Sequence, residues 1–291
     1  MRERGGRDAE LAVIDPDLDV KRRTASSFEY EWKRFDTPPE KMEDNFRGYF
    51  QFFPPEFFRG KRVLEIGPGM GRHTFHLARY AREVVASDLG PAIEVTRKNT
   101  LRCGNVRYLR ADIFRLPFPD ETFDFVCAIG VLPCVPDPEA ALRQMIRFVK
   151  PGGYVHIYVY WALEHAPAWQ RTLLRAVNAT RLVTVRLPYR VLDAVAFLAA
   201  VAGYTVFSLP HRYLSRWAPT RRLASGLPLQ RYAKDGFRVC YNDQFDRLSA
   251  PIEHRHTRAE VEGWFRRAEL EDVRIEPHWG WIACGRKPAR A

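Results

Sequence analysis

Between Lys61 and Trp161 the chain alternates between two rhythms of apolar and polar positions. Short runs dense in branched apolar residues, "KRVLEIG", "EVVASD", "VRYLRAD", "FDFVCAIG" and "YVHIYVYW", predict strands. Between them, "GRHTFHLARYA", "PAIEVTRKNTLRCG" and "DPEAALRQMIRFVKPGG" have helical spacing. The second of these has proline at its start and glycine past its end. The third has Asp137 as N-cap, Pro138 at its first position and a Lys-Pro-Gly-Gly stop. Strands that are apolar along most of their length, each followed by a helix, imply a parallel sheet covered on both faces: a doubly wound α/β fold.

The rhythm breaks after Trp161. "APAWQRTLLRAVNATRLV" is amphipathic and basic, and "VLDAVAFLAAVAGYTVFSL", 191–209, is apolar nearly all round, interrupted mainly by Asp193. A helix apolar on every side is buried or faces lipid. Its uninterrupted part is shorter than the ~18–20 residues of a membrane span. The first expectation is a buried cap helix; the second is peripheral membrane contact through 162–220. After about 250 the core pattern resumes. Thr257 and Glu260 in "TRAEVEGWFRRAEL" form a capping-box pair, Val261, Trp264 and Phe265 give an apolar stripe, and "EDVRIEP" and "GWIACGR" read as closing strands. The expected organisation is a charged, mobile tail at 1–27 and a helical segment at 28–58. A core of 59–161 plus 251–291 follows, with a mainly helical cap at 162–250.

The 291 residues suffice for one large domain with an insertion. A net charge of +11 admits nucleic acid, an anionic membrane surface or an acidic substrate as partner, but the arginines form no single block. No recognised RNA-binding module accompanies them. Five cysteines without a CxxC pair argue against a disulfide framework and for a reduced, cytoplasmic setting.

The most informative stretch is "VLEIGPGMGRH", which places Gly67, Gly69 and Gly71 at a strand-to-helix turn, with Asp88 about 20 residues on at the next strand end. In a doubly wound sheet such a carboxylate holds ribose hydroxyls. Pro68 removes one backbone N–H from the loop, which suits a ligand without a pyrophosphate. Asp112 ends the third strand, where an acid can accept an adenine amino group, and Asp124 begins the fourth.

Together with "VVASDLG", "RADIFRLPFPDETFDFVCAIGVLPCVPDP" and "VKPGGYVHIYVY", the loop resembles the class I S-adenosylmethionine-dependent methyltransferases. The resemblance covers roughly 60–160 and the closing elements after 250. It implies a Rossmann-like seven-stranded sheet with its last strand antiparallel, and S-adenosyl-L-methionine as cofactor. The loop Gly67–Gly71 would lie along the methionine part and Asp88 on the ribose. Asp112 and Ile113 would flank the adenine, and Ile129 would sit beside the sulfonium; Glu65 and Leu89 belong to the same candidate set. "SSFEYEWKRFD" resembles an N-terminal segment that folds over the cofactor in a bacterial subgroup, making Phe28, Tyr30 and Trp32 candidates for covering it. Pro133-Cys134 stands where many relatives have His-His, so a base must come from elsewhere.

Histidine titrates near neutrality and suits the removal of an acceptor proton. His73 and His76 fall in the first helix, where packing or a cofactor contact is expected, while His156 and His165 lie near strand ends. His254 and His256 sit where the chain returns from cap to core, and with Tyr160 they form the catalytic set expected from sequence. A metal at this H-x-H pair lacks recognisable further ligands. The expected reaction is methyl transfer to a small apolar or amphipathic acceptor. An RNA substrate is the alternative, and a non-catalytic scaffold a third reading that the intact loop disfavours.

Overall fold

A computed structural model describes residues 17–35 and 37–290 of the chain. Seven strands, β1 (Arg62–Ile66), β2 (Glu83–Asp88), β3 (Val106–Arg110), β4 (Phe123–Ile129), β5 (Val149–Tyr160), β6 (Glu271–Pro277) and β7 (Gly280–Arg286), form one sheet in the order β3-β2-β1-β4-β5-β7-β6. β7 alone runs antiparallel to its neighbours, because it returns from β6 through a two-residue turn at His278 and Trp279 and inserts beside β5. His278 N–H donates to Gly280 O at 2.8 Å to close that turn.

The helices are α1 (Leu18–Arg34), α2 (Glu43–Tyr49), α3 (Arg72–Ala78), α4 (Ile93–Thr100), α5 (Pro138–Phe148) and α6 (Ala168–Thr184). They continue with α7 (Tyr189–Gly203), α8 (Leu209–Leu214), α9 (Arg221–Ala224), α10 (Tyr232–Asp235), α11 (Phe237–Ser249) and α12 (Arg258–Arg267). Asp137 caps α5 by accepting from Ala140 N–H, and Thr257 and Glu260 form a reciprocal capping box on α12.

Strand alternation divides the core between the two faces of the sheet. Leu64, Val126 and Val155 face α5 and α12, where Leu142, Met145, Val261 and Phe265 are buried with them. Val63, Phe125 and Cys127 face the other way, onto Phe46, Phe50, Phe58 and Leu77. Removing the fully buried Phe125 ring would cost about 3–5 kcal/mol. His73, His76 and His156 belong to this second layer. Burial lowers the pKa of all three, His156 to about 4, and His156 Nε2 meets Tyr49 O at 2.9 Å. They are neutral packing members. Asp124 lies at the opposite end of the sheet from the glycine loop, accepting from Arg62 N–H and Lys150 Nζ.

Two sequence expectations change. Residues 1–16 lie outside the described residues, but 18–27 are not a tail: they form the first turns of α1. The inward face of α1 is small or polar, with Thr24, Ser27 and Glu31 buried, so hydrophobic periodicity does not reveal it. α7 is not the fully buried helix its composition suggests. Leu192, Ala196 and Ala200 are buried against Tyr241, Phe245 and Leu248 of α11, Val195 packs there in part and Phe197 lies edge-on to Tyr241, whereas Val191 and Leu198 face solvent.

Candidate active site

The carboxyl ends of β1, β2 and β4 converge on a cleft roofed by α1. Gly67, Gly69 and Gly71 all take positive φ (65°, 59° and 83°), the left-handed region that side chains disfavour. Space excludes side chains as well: a Cβ on Gly67 would run into Val131, and one on Gly69 would lie 2.9 Å from the Trp32 ring. Thr96 Oγ1 donates to Gly69 O at 2.7 Å and Asn99 Nδ2 to Met70 O at 3.0 Å, fixing the loop from α4.

Asp88 ends β2 with Oδ1 accepting from Gly90 N–H at 2.9 Å, and burial pushes its carboxyl up to about 6. Asp112 accepts from Phe114 N–H at 3.0 Å and from Lys21 Nζ of α1 at 2.9 Å. Each of its oxygens keeps a second acceptor position. Leu89, Asp112, Ile113 and Ile129 line this cleft of about 130 Å³ with the glycine loop. Lys21, Thr24, Ala25, Phe28 and Trp32 line it from α1, a single helical face at spacings of three and four.

The cleft meets a second cavity of about 300 Å³ at Phe28, Trp32, Ile129 and Gly130. This cavity combines charged groups with the aromatic rings of Tyr49, Tyr158, Tyr160, Tyr232 and Trp279. Its walls carry Glu31 from α1, Arg72 beyond the glycine loop, Asp243, Asp246 and Arg247 from α11, and Glu253 and Arg255 from the return to the core. Arg255 pairs with Glu253 at 2.7 Å, and Arg231 approaches Asp243 at 3.6 Å while Tyr232 donates to Asp243 at 2.7 Å. Tyr160 OH donates to Asp246 Oδ2 at 3.5 Å. Glu31 is 1% exposed, and its Oε2 has no hydrogen-bond partner. Burial, then repulsion from Asp246 and Asp243, holds its carboxyl well above the usual range. Burial, then Glu253 and Asp243, raises Asp246 to about 7. The cavity therefore holds two carboxyls that keep a proton more readily than free ones, with Asp246 changing state near neutral pH.

Residues 64–157 match the family model described as "Methyltransferase domain". Among curated relatives, the ubiquinone/menaquinone biosynthesis C-methyltransferase UbiE of Idiomarina loihiensis is 42% identical over 106 residues, 34% of this chain and 42% of the relative. UbiE of Azotobacter vinelandii is 32% identical over 148 residues, 47% and 58% of the two chains. The chain thus spans about half the length of these relatives. The solved DhpI–SAH complex shares the fold at a TM-score of 0.53 and 17% identity, over 94% of this chain and 98% of the other. Residues 64–157 match a methyltransferase domain, and the sequence and fold likenesses agree on the class I S-adenosylmethionine-dependent type.

Within this fold, Gly67, Gly69, Asp88, Leu89, Asp112, Ile113 and Ile129 meet at the glycine-loop cleft, and Tyr160 lies in the adjoining cavity. Gly71 supports the loop against Thr96 and Thr100 from behind. Glu65 is buried beneath the loop, accepts from Thr74 Oγ1 at 2.6 Å and rises to about 7 by burial; it does not line the cleft. Tyr30 does not cover the cofactor cleft. It stacks on Tyr189 and Phe245 at 5.1 and 5.3 Å, because two positions along a helix rotate a side chain to another face.

His254 and His256 also lie outside the second cavity. His256 N–H donates to Tyr160 O at 2.8 Å, its ring packs edge-on against Trp264 at 4.6 Å, and burial lowers its pKa. His254 faces a separate groove beside Asn178 and Leu182. Glu253 and Arg255, the alternate residues of the same extended segment, enter the cavity instead. No group of three or more His, Cys, Asp or Glu side chains among the described residues is placed to hold a metal ion.

Proposed function

We propose that the chain transfers a methyl group to a small polar acceptor bearing an ionisable O–H or N–H, with Asp246 taking up the proton. One observation carries this reading: two carboxyls with raised pKa values in a polar cavity that opens onto the glycine-loop cleft at Ile129 and Gly130. S-adenosylmethionine, when bound, supplies an electrophilic methyl on its sulfonium. Room made by three glycines, an acceptor carboxylate at Asp88 and the Phe28–Trp32 cover fit that ligand. Asp88 would accept from ribose hydroxyls, and Asp112 and Ile113 would hold the adenine.

Asp246 would take the proton that the acceptor's O–H or N–H gives up as the methyl group is transferred. Tyr160, its phenol kept protonated by burial and by Asp246, orients that carboxylate as a donor. Phe28 and Trp32 exclude water between the two cavities, and Arg72 stacks over Trp32 at 5.7 Å to hold the cover.

The polar lining departs from the apolar or amphipathic acceptor expected from sequence, because α7 turns its apolar side chains outward or onto α11 rather than toward the cavity. The family match at 64–157 leaves out the cap residues that line the cavity, so the acceptor is read from the cavity itself. RNA is disfavoured there: Arg231 and Arg255 are engaged by Asp243 and Glu253, so these guanidinium groups are not free to hold phosphates.

The test is mass spectrometry of cell extracts incubated with the chain and methyl-labelled S-adenosylmethionine, alongside calorimetry of cofactor binding. Label on oxygen or nitrogen of a polar metabolite is the expected result. Label on RNA or on carbon of an apolar compound overturns the acceptor reading, and absence of cofactor binding overturns methyl transfer itself.

A further inference from the structure

The helix from Tyr189 runs unbroken through a π turn at Tyr204–Ser208 to Leu214, 26 residues in all. Its inner side is accounted for by packing on α11 and by Asp193, which Arg34 and Tyr241 neutralise. Its outer side is apolar and open to solvent. Val191, Leu198, Val201 and Val206 fall on that side at helical spacing, and Leu198 is 67% exposed. Neighbouring elements along the chain also expose large apolar side chains: Leu182 and Val183 at the end of α6, Trp217, and Leu223 of α9. Only 22% of the most apolar 18-residue window of the helix is buried. A soluble surface of this kind needs a partner.

The surroundings select the partner. Residues 168–224 contain nine arginines and one aspartate, a net charge of +8 within a chain of +11. Eight of those arginines are exposed, on α6, beside α7, on α8 and at the start of α9. Tyr213 and Trp217 are exposed in the same stretch, with Arg216 stacked over Tyr213 at 5.8 Å. An apolar stripe flanked by interfacial aromatics and bordered by guanidinium groups is complementary to the acyl boundary and headgroups of an anionic bilayer. A protein partner would need an apolar surface of matching shape ringed by carboxylates. A bilayer supplies both features without specific fit. We propose that the outer face of α6–α9 docks the chain flat on anionic lipid, with the long helix lying in the membrane plane.

The surface is distinct from both site cavities, so its test requires no turnover. The full chain is floated with vesicles of phosphatidylcholine alone, or of two parts phosphatidylcholine to one part phosphatidylglycerol, at low and high salt. Expected is flotation with the anionic vesicles only, released by high salt as the Debye length contracts. Arg221→Ser with Arg222→Ser should weaken binding on the order of 30-fold, and Leu198→Glu should abolish it, with cofactor affinity and circular dichroism unchanged. Three results overturn the proposal: equal flotation with neutral vesicles, insensitivity to all these substitutions, or binding that alkaline carbonate cannot extract, which marks a spanning helix. So does a wild-type dimer that Leu198→Glu converts to monomer without any vesicle binding, since the face would then join two copies.

Discussion

Asp246→Asn should make the protein less active and, at alkaline pH, more stable. The native carboxyl holds its proton up to about pH 7, because burial withdraws water and Glu253 and Asp243 add repulsion. In the unfolded chain the same group ionises near 3.9. Between about pH 4 and 7 the native state therefore binds more protons than the unfolded state, so stability falls as pH rises through that window. Above pH 7 the full cost is present. About three pKa units at 1.36 kcal/mol each set it at up to about 4 kcal/mol. Asparagine keeps the shape and removes the charge, so the variant should gain up to that amount at pH 8 and gain nothing below about pH 4.

Activity should move the other way. Loss of a general base costs roughly 10²–10⁴ in rate. The wild-type kcat/KM should rise about tenfold between pH 6 and 8 as a group titrating near 7 becomes the base, and the variant should lack that limb. Urea unfolding at pH 4 and pH 8, paired with pH–rate profiles on the acceptor identified by labelling, measures both effects. A variant that is less stable at pH 8, or that keeps the alkaline rise, would refute the assignment of Asp246. A merely structural carboxylate predicts destabilisation with the pH profile intact.

Gly69→Ala should weaken cofactor affinity at least about tenfold by calorimetry and cost about 1–2 kcal/mol in stability, because a left-handed φ of 59° and the Trp32 ring both oppose a Cβ. Trp32→Ala should likewise cost about tenfold or more in cofactor affinity, whereas Tyr30→Ala should lower the melting temperature and leave that affinity unchanged. His254→Ala should turn over at the wild-type rate in the labelling assay. His256→Ala should also keep turnover but lose roughly 1–3 kcal/mol by denaturant unfolding, since its ring is buried against Trp264.

The features legible in the sequence are those fixed by residues close together along the chain. β2, β6 and β7 have the bounds their alternation predicts, the Thr257–Glu260 box forms as written, and the three glycines adopt the turn that their spacing demands. The failures share a cause: the deciding partner is distant in sequence. Phe28, Tyr30 and Trp32 all look like cover residues, and only the docking of α1, through Lys21 onto Asp112 ninety-one positions away, sets which helical face meets the cleft. Glu31 is legible from the sequence once Phe28 is, because it lies three residues away on the same side of the helix.

The segment 253–256 makes the same point with a period of two. Its phase is set by the bridge between His256 and Trp161, where His256 N–H donates to Tyr160 O and His256 O accepts from Ala162 N–H. That pairing turns both histidines away from the cavity and both flanking charges toward it. A shift of one residue would exchange the two sets. Nothing within "EHRH" distinguishes these outcomes, and the residue type best suited to proton transfer falls on the wrong side. The base must then be sought among side chains that the sequence marks only as ordinary surface carboxylates. Glu31 and Asp246 acquire their chemistry from burial against the cap, on helices more than two hundred residues apart.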